Sequence, residues 1–331
     1  MKLLEVEKLN IKFNILDGVV NAVNEVSFEI NKGEVLGVVG ESGSGKSVTF
    51  LSLFGLIPQP PGEIVSGKAI YKSENLLDMN KKKLLKLRAE EIGFIYQDPL
   101  TSLNPVLRII SQIIESPVLN RKLTKAEAIS EAKILLKRVG ISDVENNYNS
   151  YPHQFSGGMR QRAMIAMAIA NKPNILIADE PTTALDVTIQ AQILEVMANL
   201  SKEFGTAVIV ITHNLGVVAR YADNVNVMYA GKVIERASAA NLYETPHHPY
   251  TVGLLNSVPR LDQGRDEKLI PIEGNPPDLA NLPPGCSFNP RCDFRVDKCL
   301  EEYPEVSSAG NGHTVACWEW ENVIKRERSA V

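Results

Sequence analysis

The sequence predicts an α/β protein with a nucleotide-binding core and a separate C-terminal extension. Three observations support this prediction. A Gly-rich loop joins the apolar run at 35–39 to a helical pattern at 48–56, a second apolar run ends in two carboxylates at 179–180, and all four cysteines lie beyond residue 285. Apolar runs that alternate with helical patterns and end in polar loops are typical of sheets covered by helices.

The predicted core begins with an antiparallel section and continues as buried strands. Its strand-like segments lie at 3–9, 23–30, 35–39, 92–96, 175–178 and 207–211. A long helical pattern at 187–204 separates the last two, and residues 225–235 have the pattern of a closing hairpin. We therefore expect the core to comprise residues 1–98 and 156–238.

The sequence outside this core predicts a helical insertion and a C-terminal extension. Thr124 and Glu127 have the spacing of a capping box, and apolar residues follow at helical spacing, which predicts a helical insertion at 99–155. After about residue 240 prolines become frequent and helical periodicity fades. Residues 239–331 are therefore expected to form a loop-rich extension.

Composition restricts the function classes. The chain has 331 residues, of which 44% are hydrophobic and 22% charged, and its net charge of -4 gives no electrostatic reason to expect nucleic acid as a partner. It has no apolar run near the roughly 18 residues of a membrane-spanning helix. Its first ten residues alternate apolar with charged and predict a strand instead of a signal peptide. A cytoplasmic location is expected, where disulfides between the cysteines are disfavoured.

The Gly-rich loop has the pattern Gly-x-x-x-x-Gly-Lys-Ser. Its residues are Gly40, Glu41, Ser42, Gly43, Ser44, Gly45, Lys46 and Ser47. Glycines at these positions let successive backbone N–H groups converge on phosphate oxygens, and the following helix directs its positive dipole end to the same place. Lys46 is expected to reach the β- and γ-phosphates, and Ser47 to bind Mg²⁺. The alternative is an ordinary Gly-rich turn between a strand and a helix.

Two carboxylates follow the apolar run at 175–178. Neighbouring residues of an extended segment point to opposite sides, so Asp179 and Glu180 can perform different tasks. We expect Asp179 to hold the Mg²⁺ shell and Glu180 to polarise the attacking water. The alternative is a pair of solvated acids at a strand end.

A second helix N-terminus suited to an anion lies at Ser156, Gly157 and Gly158, before another apolar helix. By itself this pattern is also that of an ordinary N-cap.

Together these motifs resemble those of one family. The loop at 40–47, Gln97 after a strand, the Ser156-Gly157-Gly158 signature, Asp179-Glu180, Asp186 and His213 occur in the order found in ATP-binding cassette (ABC) transporter subunits. The resemblance implies a P-loop NTPase cassette, with a RecA-like mixed sheet, an antiparallel β subdomain and an inserted helical subdomain. It also implies that two cassettes pack head to tail, so that each ATP lies between the loop of one and the signature of the other.

The resemblance assigns further roles. It implies that Phe13 stacks on adenine, that Gln97 contacts Mg²⁺ or the water, and that His213 binds the γ-phosphate. Asp186 is expected to cross the dimer interface. An ordinary core Phe and a surface His are the alternatives at positions 13 and 213. Met159 departs from the Gln that most members have there.

The four cysteines, Cys286, Cys292, Cys299 and Cys317, are separated by 5, 6 and 17 residues. Four thiolates favour zinc or an iron–sulfur centre, and the spacing matches neither zinc ribbons nor ferredoxin runs. From the residues alone zinc, a cluster and free structural thiols all remain open.

The flanking residues of the extension carry a narrower resemblance. The segments 247–251, 284–288 and 290–292 resemble the C-terminal extension of oligopeptide and dipeptide importer cassettes, in which four cysteines hold a four-iron four-sulfur cluster. Within that subfamily the chain resembles the D-type subunit, which pairs with a different F-type cassette. His247 and His248 could be metal ligands, but we expect them to pack in the loop instead.

The function implied is ATP hydrolysis that drives a peptide importer. The expected cofactors are ATP, Mg²⁺ and a 4Fe-4S cluster, with Zn²⁺ as the alternative. The expected partners are a second cassette (a homodimer is the option for the isolated chain), two membrane permease subunits and, indirectly, an extracellular peptide-binding protein. The expected location is the cytoplasmic face of the membrane. The alternatives are an importer of nickel or oligosaccharides, a soluble cassette ATPase that acts on nucleic acid or ribosomes, and a redox or metal sensor.

Overall fold

The computed structural model describes residues 1–16, 18–181, 187–218, 220–257 and 271–329. The backbone forms two compact units. The first unit comprises Met1–Leu3, Ile30–Val35 and Asp78–Ile211, and the second comprises Leu4–Glu29, Leu36–Leu77 and Thr212–Val331. Each unit is described by itself.

The strands and helices of the described residues follow in chain order. The strands are β1 (Lys2–Ile15), β2 (Gly18–Asn31), β3 (Val35–Val39), β4 (Gly62–Tyr71), β5 (Glu74–Asn75), β6 (Ile92–Ile95), β7 (Ile175–Asp179), β8 (Ala207–Thr212), β9 (Asn224–Tyr229), β10 (Lys232–Ser238), β11 (Ser307–Gly310) and β12 (His313–Val315). The helices are α1 (Lys46–Leu53), α2 (Lys81–Glu91), α3 (Pro99–Ser102), α4 (Ile109–Asn120), α5 (Lys125–Arg138), α6 (Val144–Asn147), α7 (Gly157–Ile169), α8 (Val187–Phe204), α9 (Leu215–Val218), α10 (Ala239–Glu244), α11 (Pro249–Asn256), α12 (Lys298–Glu301) and α13 (Trp320–Ser329). No helix of the described residues is both long and apolar enough to cross a membrane.

The first unit contains a parallel ladder of three strands. Ile92 of β6 lies opposite Ile175 of β7, which in turn lies opposite Ala207 of β8. Nearly every residue of these strands is buried, which is typical of parallel strands covered on both faces. Because β7 ends at Asp179, the ladder delivers that residue and the following Glu180 to its carboxyl edge, where open α/β sheets bind ligands.

Helices fill the described residues between β6 and β7. Both hydrogen bonds of the predicted capping box are present, from the Glu127 N–H to the Thr124 hydroxyl and from the Thr124 N–H to the Glu127 carboxylate. Helix α5 buries Ala128, Ala132 and Leu136, which share one face at a spacing of four residues, and it packs against α4 and α7.

The second unit contains an antiparallel sheet with the strand order β2, β1, β4, β5. Strand β4 is absent from the sequence prediction because its alternation is interrupted. Gly67 has a φ of +120°, and a Cβ there would lie 2.7 Å from the Cα of Leu9, beside a shift in the β1–β4 register. A bulge of this kind hides the period of two by which a strand is recognised.

The second unit also carries the strands that continue into the extension. Strand β3 pairs in parallel with β9, β9 and β10 form the predicted hairpin, and β12 pairs with β10 and β11. Of the described residues after 238, those at 271–297 have only the short 3₁₀ helix Asn289–Arg291, whereas the others include α10, α11, α12, α13, β11 and β12. Strand β12 has only three residues, which is too short for a sequence pattern, and its pairing with β10 is what makes it a strand.

Candidate nucleotide and cysteine sites

The Gly-rich loop lies between β3 and α1, and two of its glycines are required by close backbone contacts. Gly40 has a φ of +153°, and a Cβ there would lie 2.2 Å from the Met228 carbonyl oxygen. Gly45 has a φ of +95°, and a Cβ there would lie 2.4 Å from the Ala22 carbonyl oxygen. Any other residue at either position would displace the loop from β9 or β2.

Lys46 is held inside this loop. Its side chain is 5% exposed, and its ammonium donates to the carbonyl oxygens of Gly40 and Glu41, each at 2.8 Å. The loop therefore surrounds a cation at the N-terminus of α1, with Ser47 half-buried in the first turn. A cation beside helix N–H groups is the arrangement that binds phosphate.

Phe13 and His213 occupy the surface of the second unit. Phe13 is half-buried on β1, opposite Gly62 of β4, where a Cβ would lie 3.1 Å from the Phe13 ring. His213 is exposed directly after β8. The described contacts test neither the predicted adenine stacking nor the predicted phosphate contact.

The structure brings Gln97 and Glu180 together in the first unit. The Gln97 side-chain amide donates to a Glu180 carboxylate oxygen at 2.9 Å. Glu180 has a φ of +46°, and its N–H donates to the Ile211 carbonyl oxygen at 2.9 Å. A left-handed conformation is uncommon for Glu, and such conformations are concentrated at functional sites.

Ser156 caps α7 with its hydroxyl, which accepts from the Met159 N–H at 3.3 Å. Ser156 and Gly157 are exposed, and a Cβ at Gly157 would have no atom within 4 Å. The N-terminus of α7 therefore faces open space within the first unit. Asp186 lies outside the described residues.

The four cysteines line one small cavity of about 10 Å³ in the second unit. The Cys286 N–H donates to the Cys299 carbonyl oxygen at 2.9 Å. Gly285 makes this approach possible, because it has a φ of +66° and a Cβ there would lie 2.3 Å from the same oxygen. Four cysteines that span residues 286–317 thus line one cavity, and their role as metal ligands stays a prediction.

Burial keeps the thiols of Cys286, Cys292 and Cys317 protonated unless a cation compensates. Burial, helped by the neighbouring cysteines, raises the pKa of Cys286, raises that of Cys292 to about 11 and raises that of Cys317 to about 12. A coordinated metal ion reverses this effect because it binds the thiolate directly. The donor set therefore fits a metal centre of soft character.

The four sulfurs are not gathered as closely as the ligands of one zinc ion. Among the described residues, three His, Cys, Asp or Glu ligand atoms come within 4.8 Å of one another only at Glu235, His247 and His313. No three of the four sulfurs are therefore that close. A tetrahedral zinc ion with Zn–S bonds of about 2.3 Å holds its sulfurs about 3.8 Å apart.

Two parts of the chain match the models of known protein families. Residues 23–183 match the family model described as "ABC transporter", and residues 234–299 match the "Oligopeptide/dipeptide transporter, C-terminal region". The oligopeptide transport ATP-binding protein OppD of Haemophilus influenzae is 48% identical over 96% of this chain and 97% of its own length. The dipeptide transport ATP-binding protein DppD of Bacillus subtilis is 48% identical over 96% of this chain and 94% of its own length.

The chain belongs to the ATP-binding cassette family.

Its fold agrees with solved cassettes. A dimeric post-hydrolysis structure of the ATP-binding cassette MJ0796, bound to ADP and Pi, superposes with a TM-score of 0.64 at 26% identity and covers 71% of this chain and 98% of that one. The predicted α/β cassette fold and the predicted ATPase activity are confirmed. The individual roles of the site residues stay predictions.

This ABC ATPase contains a buried side-chain hydrogen bond that the sequence prediction missed. The Gln161 side chain on α7 is 2% exposed, and its amide donates to the Pro181 carbonyl oxygen at 2.6 Å. It connects the signature helix to the residue that follows Glu180. Its polarity at a core position of α7 was the available signal, since a buried amide needs a partner.

Glu235, His247 and His313 form a second feature that the sequence prediction missed. The Glu235 carboxylate is fully buried and accepts from the backbone N–H groups of His247 and His248, while a His313 ring nitrogen lies 2.8 Å from it. Burial opposes ionisation of Glu235, but hydrogen bonds from His247 and His313 outweigh it and lower its pKa to about 2. The His248 ring nitrogen accepts from the Tyr250 N–H and caps α11. Both histidines of the 247–248 pair therefore hold the extension to β10.

Proposed function

We propose that this chain is the ATP-hydrolysing subunit of an importer of dipeptides or oligopeptides. The observation that carries the proposal is the match of residues 234–299 to the peptide-transporter C-terminal region, in a chain that also has the phosphate loop. The names of the relatives, which are oligopeptide and dipeptide transport ATP-binding proteins, support the same substrate class.

The site residues divide the chemistry between them. The loop N–H groups and Lys46 bind the β- and γ-phosphates, Ser47 and Asp179 hold Mg²⁺, and Glu180 polarises the attacking water. The Gln97 amide, 2.9 Å from a Glu180 oxygen, orients that carboxylate. Phe13 stacks on adenine, and His213 binds the γ-phosphate.

The proposed partners are inferred from the exposed Ser156-Gly157-Gly158 signature. Because the N-terminus of α7 faces open space, the signature is available to the phosphate loop of a second cassette. The proposed assembly is therefore a head-to-tail pair with an F-type cassette, bound peripherally to two permease subunits at the cytoplasmic face of the membrane, with Asp186 at the cassette interface. An extracellular peptide-binding protein delivers the cargo.

Glu180→Gln tests the catalytic assignment. The amide keeps the shape of the side chain but cannot act as a base, so ATP turnover should fall by about 10²- to 10⁴-fold, while the ATP Kd stays within about twofold. Turnover is measured as phosphate release and binding as equilibrium titration. Glu195→Gln, an exposed change on α8, is the control and should leave both unchanged. Wild-type turnover in Glu180→Gln would refute the role of Glu180.

We further propose that Cys286, Cys292, Cys299 and Cys317 hold a four-iron four-sulfur cluster. Two observations support it: the four thiols, of which Cys299 is buried and the other three are half-buried, line one cavity, and no three of their sulfurs lie as close together as the ligands of a single zinc ion. A cluster attaches its thiolates to separate iron atoms, which places them farther apart.

Metal analysis of protein purified without air tests this proposal. The expected result is about four iron and four sulfide per chain, with absorption near about 400 nm, both lost in Cys299→Ser. One zinc per chain without iron would reject the cluster. Ser308→Ala is the control and should keep the full iron content.

A further inference from the structure

The extension contacts the phosphate loop directly within the second unit. The two terminal nitrogens of Arg291 donate to the two carboxylate oxygens of Glu41, at 2.7 and 3.0 Å. Glu41 is the second residue of the loop. The Arg291 side chain is 5% exposed and the Glu41 side chain 27% exposed, so this bidentate pair is largely shielded from water.

A second contact holds the backbone of the same residue. The Glu41 N–H donates to the Tyr250 hydroxyl at 2.8 Å. Tyr250 is fully buried and packs against the rings of Tyr229 and Phe288, with centroids 4.6 and 5.4 Å away. Residues of the extension thus fix both the carboxylate and the backbone N–H of Glu41.

The contact is charged and geometrically specific. Burial opposes the charge of Arg291, but its hydrogen bonds to Glu41 and Tyr229 outweigh burial and raise the pKa of the guanidinium. A bidentate guanidinium–carboxylate pair fixes orientation as well as distance, and removing one partner leaves a shielded charge without compensation.

The phosphate loop needs such external support. Gly40, Gly43 and Gly45 all have positive φ, and a Cβ at Gly43 would have no atom within 4 Å. Glycines give the loop its shape but also increase its conformational freedom, which opposes the convergence of N–H groups on a phosphate. Glu41 lies between two of these glycines, so fixing it reduces that freedom.

Arg291 also adjoins the cysteine site in the chain. It ends the 3₁₀ helix Asn289–Arg291, whose C-cap is Cys292. Phe288 lines the cysteine cavity, and its ring lies 5.9 Å from the Arg291 guanidinium. The segment that carries two of the four thiols therefore also places the guanidinium against Glu41.

We propose that Arg291 and Tyr250 are positioning residues for the phosphate loop, so that the ATP affinity of the chain depends on how the extension folds around its four cysteines. The first part rests on the contacts to Glu41, and the dependence on the cysteines rests on the proposed metal site.

Arg291→Ala tests the first part in the full-length chain. Equilibrium titration with a fluorescent ATP analogue and Mg²⁺ should give a Kd about tenfold higher than wild type, equal to about 1.4 kcal/mol. The KM for ATP should rise similarly, with kcat within about twofold, because loop preorganisation acts on binding. Arg295→Ala, an exposed loss of the same charge in the same segment, should leave Kd unchanged.

Two further variants separate positioning from folding. Tyr250→Phe removes only the hydroxyl and should raise the ATP Kd about threefold, with a thermal unfolding midpoint near that of wild type. Arg291→Lys keeps the charge without the bidentate geometry and should give an intermediate Kd. An unchanged Kd in Arg291→Ala overturns the proposal. If that variant fails to fold, an unchanged Kd in Tyr250→Phe overturns it.

Cys292→Ser tests the dependence on the cysteine site. It should raise the ATP Kd in the wild-type background and add nothing in the Arg291→Ala background, because both changes act through the same contact. Loss of bound metal without a change in Kd would overturn the coupling. Full retention of metal in Cys292→Ser would instead refute the proposed four-thiolate site, whatever the result for Arg291.

Discussion

At the scale of single residues, the buried carboxylate of Glu235 stabilises the fold. Glu235 is fully buried, and its pKa of about 2 lies below the ordinary value of 4.5. Between pH 2 and pH 4.5, the Glu235 carboxylate therefore binds a proton more readily in the unfolded chain than in the folded chain. Glu235 therefore stabilises the fold above about pH 4.5, and this stabilisation is lost as the pH falls towards 2.

Glu235→Gln should lower the free energy of unfolding at pH 7 by about 2 kcal/mol or more, because an amide donor then faces the backbone N–H groups of His247 and His248. The variant should also lose less stability than wild type between pH 4.5 and 3. Denaturant unfolding followed by tryptophan fluorescence is suitable, since Trp318 and Trp320 both lie in the extension. The exposed change Glu244→Gln should follow wild type at every pH. Parallel pH profiles for Glu235→Gln and wild type would contradict the prediction.

At the scale of elements, helix α5 depends on its first turn. The capping box satisfies N–H groups that have no partner within the helix. Thr124→Ala should lower the free energy of unfolding by about 1 kcal/mol, measured by urea unfolding with circular dichroism. Lys125→Ala changes the adjacent exposed position without touching the cap and should have little effect. Equal stability of the two variants would show that the cap contributes nothing here.

Elements with local signals could be predicted from the sequence, and those that depend on distant partners could not. The phosphate loop and the capping box follow from residues within one turn of chain. Strand β12 forms because it pairs with β10, and the Glu235–His313 contact joins residues 78 positions apart. The Glu41–Arg291 pair spans 250 positions. No sequence pattern at Glu41 or at Arg291 indicates that the two residues pair. The phosphate loop and the extension were therefore predicted as separate parts, although they are in contact in the fold.

At the scale of the whole molecule, the proposed site is shared between two chains, and this makes a specific prediction. Lys46→Ala removes the cation of the phosphate loop, and Ser156→Arg blocks the exposed signature, so each variant alone should have almost no ATP turnover. Without the F-type cassette the isolated chain is expected to pair with itself, and equal mixing of the two variants then gives mixed pairs in which one site has both an intact loop and an intact signature.

The mixture should therefore recover about a quarter of wild-type turnover, because half of the pairs are mixed and each mixed pair has one complete site. Phosphate release measured across a range of mixing ratios should be highest at equal amounts. Mixing Lys46→Ala with the double variant Lys46→Ala/Ser156→Arg is the matched control, since no pair then has an intact loop, and turnover should stay at background. If the isolated wild-type chain turns over ATP as a homodimer and the first mixture still stays at background, the loop and the signature do not complement each other between chains, and the head-to-tail site is wrong.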